Sequence, residues 1–596
     1  MITLTNRKRV VAGVVLTFAA TVAGVLYRYW DQLTEVVGLS VNLARSSNQP
    51  PGTLTVETAR PAQAETARIP AGSSANAEAP SLDWSSYNRT LTSERYSPLS
   101  EINRDNLSRL RVLCTYDTKE HTSFETGPLM VQGSLIATTE HDIFSIDPAT
   151  CHENWRTHED YVPASVLRVN RGAAYLDGLL FRGSEDGRVL AYNFHTGKRV
   201  WETTIANAKL GETTPSAPIA WNGMVFIGNA GGDYKGVKGR MYALEAKTGK
   251  IAWEFYLVPK GPDDPMRGPQ GATPLDTSTW GNRAGTPITG GGTWTSYSLD
   301  PIAGELYVPS GNPAPDFAIG PREGQDLYTG SVVVLDAATG VYKRHFKVVV
   351  RDWHDWDVSS APALIHTKAG KRLMAVAPKN GYLYGFDLDS STLLYRIAVT
   401  RVENTDEPLS TNKAVHFCPG VNGGSEWNGP AYDPQTNLIV VGEDDWCTAV
   451  TVQTDAQIQA VERGQAWPGM ATTNPYHMFG ILDPISKWAG WVYAVDADTG
   501  AWKWRAKSNY PVMSAVTPTA GGIVFFGDAG GNLYALESTT GKRLWGKSLD
   551  GGIGGGIITY SVGGSQKVAV AAGFTNVLWP TKVATGKIVI LGISGA

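Results

Sequence analysis

The stretch Ala243-Leu244-Glu245-Ala246-Lys247-Thr248-Gly249-Lys250-Ile251-Ala252-Trp253 decides how this chain folds. Its start reads as the end of a strand, Thr248-Gly249 as a hairpin turn, and Trp253 as the opening of the next strand. The pattern returns at Ser145–Trp155, Ala191–Trp201, Ala494–Trp504 and Ala535–Trp545, with degenerate copies over Val334–Arg344, Gly385–Tyr395 and Val583–Leu591. Apolar runs such as Gly223–Gly228 and Gly522–Gly527 precede the copies and supply inner strands. Eight copies, at a period of about 40 to 55 residues with several short strands each, predict an all-β, eight-bladed β-propeller. The last copy is expected to close the ring with the strand near Trp84, which removes the free sheet edges. The repeated tryptophans are expected to pack blade against blade. Insertions around Gly261–Gly290 and Thr451–Ser486 enlarge two of the copies.

Composition agrees. The chain has 596 residues, 65 glycines, 19 tryptophans and only 18% charged residues, which suits a large β protein with many tight turns. A net charge of −4 gives no electrostatic reason to expect a nucleic-acid partner.

At the N-terminus Arg7, Lys8 and Arg9 precede an apolar segment from Val10 to about Tyr27, followed by Tyr27-Arg28-Tyr29-Trp30. That length is near the lower limit of about 17 residues for a membrane span. The basic cluster predicts a cytoplasmic N-terminus, and the aromatic flank favours an uncleaved anchor (residues 1–30) over a signal segment. Residues 31–81, rich in Ala, Pro, Ser and Thr from about Ala44 to Pro80, read as a tether, and 82–596 as the propeller. The bulk of the chain is thus expected in the periplasm, carried by a single-pass inner-membrane anchor. Four cysteines suit that compartment, and chain proximity suggests Cys114–Cys151 and Cys418–Cys447. No Cys-Xaa-Xaa-Cys-His occurs, so the chain has no site for a covalently attached c-type haem.

The densest chemistry lies in Asp352-Trp353-His354-Asp355-Trp356-Asp357-Val358-Ser359. Three carboxylates beside two tryptophans read either as a strand-end turn covering a core edge or as part of a site. Five further motifs accompany it: Arg95–Leu99 (RYSPL), Val169–Gly172 (VNRG), Gly290–Trp294 (GGGTW), Ser310–Pro315 (SGNPAP) and Lys379–Tyr384 (KNGYLY).

Together with the repeat, these motifs resemble the PQQ-dependent (quinoprotein) alcohol dehydrogenases, methanol dehydrogenase among them, over about residues 82–596. The resemblance implies a PQQ- and calcium-dependent dehydrogenase that oxidises an alcohol or polyol by base-assisted hydride transfer. The same-class alternative is a quinoprotein sugar dehydrogenase; a different class would be a cofactor-free envelope scaffold. PQQ, a planar tricarboxylate quinone, calls for cations, an aromatic platform and a hard metal ion with oxygen ligands.

Carried over by position, Asp357 matches the base and also a metal ligand. The family spacing there is His-Asp-Xaa-Trp-Asp and this chain is one residue shorter, so Asp355 stays as the alternative base. Asn312 matches a metal-binding asparagine, and Asp233 stands where the family has a glutamate ligand. Ser359 replaces the aspartate of lanthanide-using members, which points to calcium. Trp294 matches the stacking platform. Arg171, Lys379, Glu125, Gly231 and Gly232 match cofactor contacts, and Glu426 replaces an asparagine near the ring. Ser165 and Val166 stand where many members carry two adjacent cysteines. With no haem in the chain, the expected electron acceptor is membrane quinone or a separate cytochrome c.

Overall fold

The computed structural model describes residues 51–59, 83–162, 169–271, 273–471, 480–576 and 578–593. Among them, eight antiparallel sheets of four or more strands succeed one another along the chain. Blade 1 comprises Leu129–Val131, Ser134–Thr138, Asp142–Ile146 and Glu153–His158; six further blades follow in sequence order. Their innermost strands meet, as where Ile219–Trp221 abuts Ala174–Leu176 and Ala431–Asp433 abuts Thr517–Thr519.

The repeat explains itself in the pairing. Its first residue lies directly across the hairpin from its last: Ala191 opposite Trp201, Ala243 opposite Trp253, Ala494 opposite Trp504 and Ala535 opposite Trp545. A small side chain there leaves room for the indole on the same face of the sheet. Four of the repeat indoles, those of Trp155, Trp201, Trp253 and Trp504, then reach the next blade. Trp155 Nε1 donates to Phe194 O at 3.1 Å, Trp201 to Ala246 O at 2.9 Å, Trp253 to Ala337 O at 3.0 Å and Trp504 to Ser538 O at 2.8 Å. The ring lies flat on the turn glycine of that blade. At Gly249, which has φ of +72°, an added Cβ would run into the Trp201 ring, so both conformation and contact demand glycine. Tyr395 does the same job through Ala497 O at 3.0 Å. Trp504→Phe is therefore expected to cost about 1–2 kcal/mol, the price of one buried acceptor left unmade, measured by chemical denaturation; an unchanged midpoint would remove the indole bond from the account.

Closure differs from expectation. The fourth strand of the last blade is Leu110–Asp117, paired with the C-terminal strand Lys587–Ile593, whereas Trp84 makes only an isolated bridge to Met130. The ring is closed by a strand that has no tryptophan repeat of its own. A second difference falls in the expected tether: Leu54–Thr58 forms a strand that adds to the outer edge of Trp502–Ser508, covering an otherwise open sheet edge.

The disulfides Cys114–Cys151 and Cys418–Cys447 are both formed, as chain proximity suggested. The first ties the closing strand to the turn of blade 1. Among the described residues no helix is long and apolar enough to cross a membrane; the expected anchor, residues 1–30, lies outside the described residues, as do Ser165 and Val166.

Candidate active site

Inner-strand ends and the loops beyond them bring the candidate residues to one cavity of about 1040 Å³, its mouth included. Glu125, Arg171, Gly231, Gly232, Asp233, Trp294, Asn312, Asp355, Asp357, Lys379 and Glu426 all border it. They come from blades far apart in sequence, so their meeting is a consequence of the ring.

The acidic loop is built locally. Asp352 accepts the backbone N–H groups of His354 at 3.1 Å and Trp356 at 3.2 Å, folding the chain back on itself. Asp355 then takes a left-handed conformation with φ of +65°, one that aspartate tolerates better than most residues. His354 stacks on Trp356 with ring centroids 4.0 Å apart and meets Phe417 edge-on. Burial pushes the His354 imidazole down to about 3, so it is a neutral packing group. The two tryptophans, the histidine and Asp352 thus hold the loop, and the carboxylates of Asp355 and Asp357 face the cavity.

Lys379 is the pivot. Its Nζ lies 2.8 Å from Asp357 Oδ2 and 3.6 Å from Asp355 Oδ2, and 5.4 Å from the centroid of Trp294. Burial works against its charge, but Asp355 and Asp357 outweigh that and hold its pKa well above the usual lysine range. Asp357 Oδ1 accepts the Asn312 N–H at 3.0 Å, so both its oxygens are engaged by donors. Arg171 is sandwiched between aromatic faces, 4.6 Å from the Trp294 centroid and 5.3 Å from that of Trp427. It pairs with Glu125 at 2.7 Å and donates to Trp294 O at 2.9 Å.

A second acidic group lies beside this one. One carboxylate oxygen each from Asp233, Asp316 and Asp355 comes within 4.8 Å of the other two. Burial, then the neighbouring Asp357, raise Asp233 to about 6. Burial and the mutual repulsion of acids also put Asp316 and Asp355 well above the usual carboxylate range. Asn312 donates from Nδ2 to Asp316 at 3.0 Å. Oxygen ligands converging with this much negative charge match a hard divalent cation. Asp316 escaped the sequence reading: a lone acid in a proline-rich turn, four residues after Asn312, gives no spacing signal. It is placed by the fully buried Arg322, which donates to Pro315 O at 3.0 Å and Asp352 O at 2.8 Å and so ties the two loops together. The Thr451–Ser486 insertion buttresses the same spot, with Trp467 N–H donating to Asp233 O at 2.7 Å.

Comparison with known proteins settles the class. The family model described as "Glucose/ethanol/alcohol dehydrogenase, beta-propeller domain" matches residues 84–409, more than half of the chain. The dehydrogenase subunit of the quinone alcohol dehydrogenase of Komagataeibacter europaeus is 30% identical, over 83% of this chain and 72% of its own. The chain belongs to the PQQ-dependent alcohol dehydrogenase family. It is an oxidoreductase acting on alcohols.

Relatives by sequence also include the quinohemoprotein alcohol dehydrogenase of Comamonas testosteroni, 30% identical over 83% of this chain and 73% of that one. By structure, the quinohemoprotein alcohol dehydrogenase ADHIIG of Pseudomonas putida superposes with a TM-score of 0.78 at 25% identity, covering 86% of this chain and 80% of its own. A europium-containing methanol dehydrogenase does so at 0.74 and 25%, covering 86% and 98%. A second model, "Outer membrane protein assembly factor BamB", matches residues 489–589, where the tryptophan repeat is regular. The buried acids around Lys379 lie outside that match, and the scaffold alternative falls with the family assignment.

The residues present fit the family's cofactor. Arg171 and Lys379 supply cations, Trp294 a flat apolar face, and the buried Asn422 Nδ2, with no partner of its own, a further donor at the cavity wall. At Gly231, with φ of +96°, an added Cβ would collide with Gly211 O, so both conformation and contact demand glycine at this part of the cavity wall.

Proposed function

We propose that this chain is a PQQ- and calcium-dependent dehydrogenase of primary or secondary alcohols or polyols, working in the periplasm. The single observation that carries the reading is the pairing of two acidic groups about one cavity: Asp357 held by Lys379 at 2.8 Å, and Asp233, Asp316 and Asp355 converging beside it. The first suits a base and the second a cation. When bound, PQQ supplies the hydride acceptor and the cation a Lewis acid.

The chain's residues do the rest. Asp233, Asp316 and Asp355, with Asn312, would hold the cation. Trp294 would carry the ring, and Arg171 and Lys379 would meet its carboxylate and carbonyl oxygens. Asp357, fixed by Lys379 and the Asn312 amide, would take the proton of the substrate hydroxyl. In this reading Asp355 takes the cation-ligand place that the resemblance gave Asp357, and Asp357 is kept as the base alone. The serine at position 359 favours calcium over a lanthanide. The two disulfides support an oxidising compartment, and the basic and apolar N-terminus an inner-membrane anchor. Electrons would pass to membrane quinone or a separate cytochrome c.

Purified protein supplied with PQQ and calcium should reduce an artificial dye in the presence of alcohols, more slowly with sugars; activity confined to sugars would replace the alcohol reading. A pH test follows from the acids. A raised carboxyl pKa means that the native protein binds more protons than the unfolded chain, so the cation-free form loses stability as pH rises from about 4 through about 6. A divalent cation takes over the role of those protons. Its stabilising shift in Tm is therefore expected to be small near about pH 5 and larger near about pH 8. A shift independent of pH would contradict a cation bound by these carboxylates.

A further inference from the structure

Strand Leu438–Asp445 of blade 6 ends in three consecutive acids that the site does not use, Glu443, Asp444 and Asp445. Glu443 and Asp444 are fully buried. Neither oxygen of Glu443 has a hydrogen-bond partner, and Asp444 has only the Val512 backbone beside it. An apolar residue would be more stable in such a place, so these acids call for a use.

The segment Val421–Trp427 links them to the cavity. Gly424 N donates to Lys379 O and Asp444 N donates to Gly424 O, each at 2.7 Å. A Cβ added to Gly424 would stand 2.8 Å from Glu443 Oε2, so that carboxyl lies against the Gly424 backbone. Two residues further on, Glu426 borders the cavity, and between them the buried Ser425 hydroxyl also lacks a partner. At the far end Asp445 pairs with Arg401 at 2.9 Å and with the half-exposed Lys507 at 3.6 Å.

Charge is graded along this line. Glu426 faces Lys379, Arg171, Glu125 and Asp357; Glu443 faces Glu426 and Tyr493; Asp444 faces Glu426, Glu443 and Asp445. Cations stand at the cavity end and the surface end, while acids alone face Asp444 in the middle and no cation faces Glu443. Nor do these acids make a cation cage, because their oxygens are not among the groups that converge within 4.8 Å in the described residues.

We propose that Glu426, Glu443, Asp444 and Asp445 form a proton exit from the cavity to solvent, a role that rests on the dehydrogenase reading above. Oxidising CH–OH to C=O removes two electrons and two protons. One proton passes from the substrate hydroxyl to Asp357. The C–H hydrogen leaves as hydride, and its proton is freed when the two electrons go on to the external acceptor. Both protons must leave the cavity, and carboxyls that can each take up and release one proton provide steps to solvent apart from its mouth.

Glu443→Gln and Glu443→Leu test this in the full-length protein loaded with PQQ and calcium. Both variants should melt at the same temperature as the parent or higher, and a single turnover should reduce the bound cofactor at the parent rate. Steady-state turnover should fall about tenfold or more, with partial recovery on adding formate as a small proton carrier. In the cofactor-free protein, the infrared carbonyl band of a protonated carboxyl should weaken in Glu443→Gln. Unchanged steady-state turnover would overturn the exit. So would a loss that formate does not recover and that accompanies slowed single-turnover reduction, which would mark a distorted site. If the parent itself is not reduced by any alcohol, the dehydrogenase reading falls and the exit with it.

Discussion

Asp357→Asn is expected to lower turnover by about 10²- to 10⁴-fold while leaving cofactor and cation binding in place. The substitution keeps the size of the side chain and the acceptor oxygen that meets the Asn312 amide at 3.0 Å, but it removes the site that takes a proton. Asp357 is not one of the three acids whose oxygens converge on a single point, so the cation should stay. Asp355→Asn makes the comparison. Asp355 does belong to that trio, so its substitution should weaken cation affinity first and turnover through it, with activity returning as calcium is raised. If Asp357→Asn keeps its activity and Asp355→Asn loses it at saturating calcium, the roles are reversed and Asp355 is the base.

Lys379→Met should destabilise the cofactor-free protein by about 3–5 kcal/mol at neutral pH, because it leaves buried carboxylates without their counter-charge. The lysine is 8% exposed and is the only basic side chain paired with Asp355 or Asp357 among the described residues. The loss should shrink on acidification. Burial holds the Asp355 carboxyl above the usual carboxylate range even with Lys379 beside it, so without that cation the variant regains stability as pH falls and Asp355 takes up its proton. Lys379→Arg keeps the charge and should lose much less. Urea denaturation at several pH values reads this directly; a cost that is the same for Met and Arg, or flat with pH, would show that packing and not charge sets the role of position 379.

How much of this was legible in the sequence depends on the range of the interaction. The hairpin turn and its tryptophan are local, with Ala243 and Trp253 facing each other across one turn, so the repeat reports the blades directly. The site residues were legible only through the resemblance that the short motifs carry, and the ring brings all of them to one cavity. What escaped depends on partners remote in the chain. Leu110–Asp117 closes the ring only because Lys587–Ile593 lies beside it, and nothing in its own residues marks that partner. Leu54–Thr58 sits in a stretch of tether-like composition and becomes a strand by borrowing the edge of Trp502–Ser508. Asp316 joins the acids because Arg322 locks its loop to that of Asp352, a tertiary bond with no signature in spacing.

The cavity around Trp294 and Lys379 is proposed to hold PQQ together with a divalent cation. Titrating the cofactor-free protein with PQQ, with calcium and with a chelator, tests it most directly through quenching of tryptophan fluorescence. Saturable binding of one PQQ per chain is expected with calcium, strongly weakened by chelation and by Asp233→Asn, and with a smaller quench in Trp294→Phe. Absence of saturable binding with calcium or with a lanthanide, or binding indifferent to both metal and Asp233, would contradict it.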